Sequence, residues 1–197
     1  MAYLSRSEIS EMGFASVGEG ALLSDKASYY NCAGMVIGNN VRVDDFCILS
    51  AGVGGVEIGS YVHIAAFSLL IGAGKITLHD FSGLSSRVSV YSSTDDYSGA
   101  VMTNPTVSSE FTGVVSADVC IGRHVIIGSG SVVLPGVVLE EGVAVGALSL
   151  VSKSCSAFSV YSGVPARRIK ERKRNLLELE KEFIASSALL SGANLHP

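Results

Sequence analysis

The amino-acid sequence predicts an all-β fold, a parallel β-helix built from short strands that stack coil upon coil. Two regularities carry this prediction. Residues 121–156 divide into six blocks of six residues (hexads), each opening with an aliphatic side chain and holding Val, Ser or Cys at its fifth position. In the first half of the chain the same hexad returns, with two or three extra residues after every third one. Three hexads per coil describe a triangular solenoid.

The aliphatic first positions are expected to point inward and to form one stacked apolar column. Coils then lie about 4.8 Å apart, the usual spacing of hydrogen-bonded strands. The first positions are Val17, Leu23, Tyr29, Ile37, Val43, Leu49, Ile58, Ile64, Leu70, Leu78, Leu84, Val90, Ile121, Ile127, Val133, Leu139, Val145 and Val151. A β-sandwich needs hairpin turns, for which strict six-residue spacing leaves no room.

The beginning, the interruption and the end of the repeat divide the chain into three segments. Residues 1–15 are expected to hold a short helix, near residues 7–12, that covers the first coil. Residues 16–160 form the solenoid and extrude a polar loop at residues 91–118, a length typical of functional or disordered loops. Residues 161–197 combine a basic segment with a C-terminal helix. Both ends need covers because an open coil exposes a sheet edge.

The composition narrows the function classes. Of 197 residues, 48% are hydrophobic and only 16% are charged, against roughly 25% charged in average soluble domains. Much of the surface is therefore expected to be buried, within the chain or between copies of it. Residues 1–166 carry seven basic and fourteen acidic side chains, which argues against a nucleic-acid surface. No apolar run is long enough to span a membrane.

The cysteines and the N-terminus indicate the cellular compartment. Four cysteines are scattered along the chain without a C-x-x-C pair, which is typical of buried thiols in a reducing environment. The N-terminal residues lack the basic start and apolar stretch of a secretory signal. The sequence therefore predicts a cytoplasmic location.

The hexads, the extruded loop and the run GVPAR at residues 163–167 together resemble the hexapeptide-repeat acyltransferases. Closest in layout is the branch that holds galactoside and maltose O-acetyltransferases and the xenobiotic acetyltransferases. The resemblance covers about residues 16–172. It implies a left-handed β-helix, a homotrimer with active sites between neighbouring solenoids, and acetyl-CoA as the acyl donor.

The resemblance also implies a set of cofactor-binding residues. Two of the family's turns match residues 127–129 (IGS) and 146–149 (GALS), where backbone groups hold the pantetheine arm in relatives. The family's Thr-Lys turn, which precedes the basic segment, matches residues 152–153 (SK). The implied residues are Ser129, Ala147, Ser152, Lys153, Arg167, Arg168 and Lys170. The basic ones would face the phosphates of the adenosine end, where charge-assisted contacts suit a polyanion. Ordinary corner residues and a solvated charged face are the alternatives.

The catalytic base departs from the family pattern. Sugar O-acetyltransferases of this family carry a histidine five residues after the aliphatic residue that opens the last hexad before the loop. Counting from Val90 reaches Asp95 instead. Asp95 or Asp96 is one candidate base, because desolvation and mutual repulsion of two adjacent acids would raise their pKa values. An Asx-type turn that begins the loop is the competing interpretation of this pair.

Three other interpretations of the missing histidine stay open. His63 or His124 could act as the base, although a lone histidine at a solenoid corner is more often structural. The acceptor could be an amine that loses its proton to water, or the protein could be inactive. The loop residues Tyr91, Tyr97 and Asn104 are candidates for contacts with the acceptor.

The leading functional hypothesis is an acetyl-CoA-dependent O-acetyltransferase acting on a sugar or sugar nucleotide in surface-polysaccharide biosynthesis. N-acetylation of a nucleotide-linked amino sugar is the alternative, and a non-catalytic CoA-binding scaffold is the alternative from another class. A zinc hydro-lyase on this fold needs three converging histidines, two of them close in sequence. The histidines His63, His79, His124 and His196 are widely spaced, so no metal site is predicted.

Overall fold

The computed structural model describes the backbone of residues 2–193 and the side chains as far as residue 187. Three parallel sheets close into a triangular solenoid, which confirms the predicted fold class. Face A consists of β1 (Ser16–Val17), β4 (Met35–Ile37), β7 (Val56–Ile58), β10 (Ile76–Leu78), β15 (Val119–Ile121) and β18 (Val138–Leu139).

The other two faces follow the first in each coil. Face B consists of β2 (Leu22–Leu23), β5 (Arg42–Val43), β8 (His63–Ile64), β11 (Gly83–Leu84), β16 (Ile126–Ile127), β19 (Ala144–Val145), β21 (Ser159–Ser162) and the antiparallel β22 (Arg167–Glu171). Face C consists of β3 (Ser28–Tyr30), β6 (Ile48–Ala51), β9 (Leu69–Gly72), β12 (Ser89–Tyr91), β17 (Val132–Val133) and β20 (Leu150–Val151).

The hexad register predicts the core well. Sixteen of the eighteen first positions are buried, and only Val17 and Tyr29, in the first coil, are partly exposed. Successive coils align these residues directly, so that Ile64 pairs with Val43 on one side and Leu84 on the other. Burying each such side chain contributes roughly 1.5–3 kcal/mol relative to exposure.

Three corners connect the faces: corner 1 joins face A to face B, corner 2 joins B to C, and corner 3 joins C to A. At corner 2 the residues with left-handed backbone form one column: Phe46, Phe67, Arg87, Gly130 and Leu148. Each N–H in this column donates to a carbonyl one coil earlier; that of Leu148, for example, lies 2.9 Å from the oxygen of Ser129. The turns of neighbouring coils are therefore in register.

Both ends of the solenoid are covered. Helix α1 (Arg6–Glu11) begins with a capping box between Ser5 and Glu8 and buries Ile9 against the first coils. At the other end the basic residues form β22, which pairs with β21 and protects the last edge of face B. The sequence predicted a basic helix here. Helix α2 begins only at Leu176 and extends to Ala193.

The loop leaves the solenoid at corner 3, after β12, and returns at β15. It contains a small antiparallel hairpin of β13 (Ser93–Thr94) and β14 (Val115–Ser116), and one turn of 3-10 helix at Ser109–Phe111. A second 3-10 turn, Cys32–Gly34, lies between β3 and β4. The hairpin holds the base of the loop against the solenoid, so the residues that follow Thr94 have a defined position.

Candidate active site

Asp95 lies in a cleft of about 420 Å³ at corner 3, where the loop leaves the solenoid. The cleft is lined by Tyr91, Ser93, Thr94, Asp95, Tyr97, Val132, Leu134 and Pro135. Asp95 is exposed, and its carboxylate accepts no hydrogen bond from the residues that the structure describes. The carboxylate is therefore available to a ligand in the cleft. Tyr91 and Tyr97 line the cleft as expected, and Asn104 does not.

The carboxylate of Asp96 holds the backbone of the loop that follows it. This carboxylate accepts hydrogen bonds of 3.0 Å from the backbone N–H groups of Ser98, Gly99 and Ala100. The hydroxyl of Ser98 donates to the same carboxylate, and this bond, with the backbone bonds, lowers the pKa of Asp96. The expectation that both neighbouring acids have raised pKa values is wrong for Asp96. The Asx-type turn applies to Asp96, which leaves Asp95 as the acid that faces the cleft.

Ser129 and Ala147 lie one above the other at corner 2, on successive coils. Both residues are exposed, and within the described chain their backbone N–H groups donate no hydrogen bond. Between them the coils approach closely, since a Cβ on Gly128 would lie 2.4 Å from the nitrogen of Ala147. Corner 2 thus presents free N–H donors at two small residues, with the exposed Leu148 beside them, and small residues let an amide chain such as pantetheine approach the backbone closely.

The basic residues of β22 continue this line. Arg167 pairs with Ser162, at the point where the last coil turns through corner 2. Arg167, Arg168 and Lys170 are all exposed, and Arg168 donates to the hydroxyl of Ser159 at 3.0 Å. A ligand that runs down corner 2 past Ala147 would therefore meet positive charge at the end of the solenoid.

Ser152 and Lys153 lie elsewhere. They follow β20 and belong to corner 3, one coil beyond the Leu134 and Pro135 that line the Asp95 cleft. Both are exposed. The structure therefore groups them with Asp95 and apart from Ser129 and Ala147.

His63 and His124 also lie outside the Asp95 cleft. His63 stands on the outer surface of face B, 2.9 Å from the carboxylate of Asp44, which also accepts a bond from Arg42. His124 lies at corner 1, where its ring contacts Phe81 and its Nε2 contacts Glu180. Burial, followed by the charge of the neighbouring arginine at position 123, lowers the pKa of His124. The contact between its Nε2 and the Glu180 carboxylate helps to hold α2.

Asp95 and the two turn residues Ser129 and Ala147 therefore lie on separate corners of one chain. Face C lies between corner 2, with Ser129 and Ala147, and corner 3, with Asp95 and Lys153. A face of about six residues is roughly 15–20 Å wide at the rise of extended backbone. In the described part of the chain no cluster of three metal-ligating side chains occurs; His196 lies outside that part.

Sequence reasoning missed a group of side chains on corner 2. Phe46 and Phe67 stack with ring centroids 5.0 Å apart, and the guanidinium of Arg87 lies 5.7 Å from the Phe67 centroid. The signal in the sequence was their recurrence one coil apart, each three residues after an inward aliphatic residue.

Comparison with known proteins gives closely similar relatives over nearly the whole chain. The dTDP-4-amino-4,6-dideoxy-D-glucose acyltransferase of Escherichia coli is 56% identical over 187 residues, which are 95% of this chain and 97% of the relative. AntD, an N-acyltransferase from Bacillus cereus solved with dTDP and 3-hydroxybutyryl-CoA, is 48% identical, with a TM-score of 0.90 over 95% of this chain and 98% of that one. No protein-family model matches.

Two further comparisons bear on the fold and the site. A maltose O-acetyltransferase from Clostridium difficile, 23% identical with a TM-score of 0.56 over 86% of this chain and 75% of that one, shares the fold. Two other structures of AntD, with dTDP and coenzyme A bound, carry a substituted aspartate or a substituted serine, the serine ten positions before the aspartate. No helix in the described part of the chain combines the length and apolarity that crossing a membrane requires.

Proposed function

The chain belongs to the hexapeptide-repeat acyltransferases, and we propose that it transfers an acyl group from coenzyme A to the amine of a nucleotide-linked amino sugar. The observation that carries this proposal is near full-length similarity to two enzymes of that kind, a dTDP-amino-sugar acyltransferase and an N-acyltransferase solved with dTDP and an acyl-CoA. The N-acyl alternative is therefore better supported than O-acetylation. An acyltransferase, and not a scaffold, is the class these relatives indicate.

Asp95 is proposed as the base. Substituted residues in the AntD structures are a serine and an aspartate ten positions apart, and Ser85 and Asp95 have the same spacing here. Ser86 and Asp96 share that spacing too, but the carboxylate of Asp96 is occupied by backbone N–H groups of the loop. The free carboxylate in the cleft supports the first pair.

The chemistry assigned to Asp95 is removal of one proton. Its carboxylate takes this proton from the acceptor amine while the nitrogen bonds to the carbonyl carbon of the thioester. The carbon–sulfur bond then breaks, and the departing sulfur takes a proton to give the thiol. Backbone N–H groups at Ser129 and Ala147 hold the donor so that its carbonyl meets the amine, and this positioning is expected to supply much of the rate.

A homotrimer supports the same chemistry. Asp95 and Lys153 on corner 3 cannot meet Ser129 and Ala147 on corner 2 of their own chain, because face C lies between them. Two neighbouring copies can bring corner 2 of one against corner 3 of the other, and a ring of three copies then contains three equal sites. The low share of charged residues, 16%, fits faces buried between copies. An enzyme that uses an acyl-CoA and a nucleotide-linked sugar would act in the cytoplasm, before the sugar is built into a polysaccharide.

The direct test offers the purified protein acetyl-CoA or 3-hydroxybutyryl-CoA together with dTDP-linked and UDP-linked amino sugars and their hydroxyl counterparts. Mass spectrometry of the products should show acylation of an amino sugar nucleotide and none of the hydroxyl counterpart. Acylation of the hydroxyl sugars alone would restore the O-acetyltransferase hypothesis. Failure to turn over any acceptor, in protein that binds coenzyme A, would contradict the proposal.

A further inference from the structure

We propose that Phe46, Phe67 and Arg87 form the subsite for the nucleoside diphosphate part of the acceptor, with the base against the two phenyl rings and the diphosphate at Arg87. This inference rests on the function proposed above and names residues that select its acceptor. We call the three side chains the corner 2 ladder.

The corner 2 ladder is an open, preformed aromatic surface. The two phenyl rings stack at an interplanar angle of 24°, and Phe46 and Phe67 keep 52% and 51% of their surface exposed. In the described chain no helix or loop covers this corner, whereas α2 covers corner 1. Large apolar side chains left open on a rigid scaffold are typical of ligand and partner surfaces.

The ladder continues the line on which the donor is proposed to lie. The N–H of Arg87 donates to the carbonyl of Ala66, and that of Gly130 to the carbonyl of Ser86, so corner 2 passes without interruption from Phe67 to Ser129. At Gly130 the column has no side chain, and the exposed Leu148 of the next coil lies beside it. An acyl chain arriving from one end and a sugar arriving from the other would meet beside Ser85 and Ser86.

The distances suit a nucleotide sugar. From the coil of Ser86 to that of Phe46 is two steps of about 4.8 Å, and a third reaches the coil of Ser129. The two steps towards Phe46, roughly 10 Å, are available to the diphosphate and the base of an acceptor whose sugar lies at the serines, and the third step leads to the donor. The order of groups matches as well: a sugar near the serines, a diphosphate beside the guanidinium of Arg87, and a base beside the rings.

The chemistry of each part fits its neighbour. Nucleic-acid bases pack on phenyl rings because every base has an apolar π face. A guanidinium presents several N–H donors in a planar fork that matches phosphate oxygens, and Arg87 is exposed and makes no ion pair among the described residues. Neighbouring Ser85 and Ser86 provide small polar groups where the sugar hydroxyls would lie.

The test measures dTDP and coenzyme A binding by calorimetry, and the steady-state KM for the amino sugar nucleotide, in three variants of the full-length protein. Phe67→Ala and Arg87→Gln should each weaken dTDP binding and raise the acceptor KM about tenfold or more, and leave coenzyme A binding unchanged. Phe183→Ala is the matched control, since Phe183 is also part-exposed but lies on α2 at corner 1; it should change neither constant.

The outcomes separate this inference from the proposed function. Wild-type activity on an amino sugar nucleotide, with unchanged dTDP binding in Phe67→Ala and Arg87→Gln, overturns the subsite and leaves the function standing. A Phe67→Ala protein that falls apart into single chains in gel filtration assigns the ladder to contacts between copies and also overturns it. If Phe67→Ala loses coenzyme A binding as well, Phe67→Leu keeps the apolar volume without the ring and must show the same selective loss.

Discussion

Corners 1 and 2 of the solenoid both carry stacked aromatic rings, and only those of corner 1 are covered by the chain itself. At corner 1, Tyr61 stacks on Phe81 with centroids 4.9 Å apart, and Phe183 of α2 packs edge-on against both. At corner 2, Phe46 stacks on Phe67 and stays half exposed. All four stacked residues have left-handed backbone at the same kind of turn position.

The repeat stacks aromatic rings at both corners, and the presence or absence of α2 decides whether those rings are buried within the chain or open to a ligand. Charged groups follow the same division. At corner 1, Glu180 of α2 joins both Arg123 and His124, so the acidic and basic groups satisfy one another within the chain. At corner 2, Arg87 makes no ion pair among the described residues, and on β22 Arg167 and Lys170 are exposed while Arg168 pairs with Glu171. We therefore interpret corner 1 as structural and corners 2 and 3 as functional surfaces.

The largest expected effect comes from the open cleft at corner 3. Asp95→Asn keeps the shape of the side chain and removes its ability to accept a proton, so kcat/KM should fall about 10²–10⁴-fold. Thermal unfolding should stay within about 1 °C, because the carboxylate has no protein partner in the described chain. Steady-state assays and melting curves check both parts. A variant with wild-type kcat/KM would show that Asp95 is not the base and that the enzyme acts by positioning its substrates.

At the covered corner the same kind of change should act on stability and not on chemistry. Glu180→Gln removes the ion pair with Arg123 and weakens the contact with His124, at a cost of about 1–3 kcal/mol in the free energy of unfolding. Urea denaturation measures this loss, and kcat per folded molecule should be unchanged. The matched control is Glu178→Gln on the same helix, whose exposed pair with Lys181 contributes about 0–1 kcal/mol. Equal losses in the two variants would contradict the structural role of corner 1.

A weaker effect is expected from pH at corner 1. The folded-state pKa of His124 is lowered by burial and then by Arg123. The unfolded chain therefore binds a proton more readily, and the contribution of His124 to stability is complete above its ordinary pKa of 6.5 and is lost as the pH falls below it. The charges facing His124 are those of Arg123, Glu141, Arg172 and Glu180. Melting curves between pH 8 and pH 5 should show a melting temperature that falls as the pH falls, and the fall should be smaller in His124→Gln. An equal fall in this variant would show that other groups cause it.

The smallest effect is expected from the basic strand. Lys170→Ala removes one exposed positive charge near the proposed phosphate end of the donor, and should weaken acyl-CoA binding about two- to fivefold at low salt. The effect should shrink as salt rises, because exposed charges are screened. Lys181→Ala on α2 provides the control with the same loss of charge elsewhere. If both variants bind acyl-CoA equally well, β22 is an edge cover without a role in binding.

The sequence could predict what depends on spacing along the chain. The inward column, exemplified by Ile64 and Ile127, is buried as expected because each coil repeats the same three hexads. Counting from Val90 also led to Asp95, the acid that faces the cleft. The first result comes from the regular period, and the second from the position that the resemblance to the family implies for the base; neither required a contact between distant residues to be foreseen.

What the sequence could not predict depends on contacts across coils. Phe81 and His124 stack although the loop separates them in sequence, and Phe46 meets Phe67 only because their coils are in register. The basic run was expected to be a helix, since its residues favour one; the open edge of β21 instead recruited it as a strand. Propensity yields here to unpaired backbone groups at a sheet edge.

The central claim, that each site joins corner 2 of one copy to corner 3 of the next, has a direct test by complementation. Asp95→Asn disables corner 3, and Ala147→Trp, at an exposed position, blocks the donor surface of corner 2. Two differently tagged chains carrying one change each are co-expressed, and mixed assemblies are isolated through both tags. The account predicts that mixed assemblies regain activity at one of the three sites in each ring of three copies, although each variant alone is inactive. Mixed assemblies that form and stay inactive would contradict it, because the complete site would then lie within one chain.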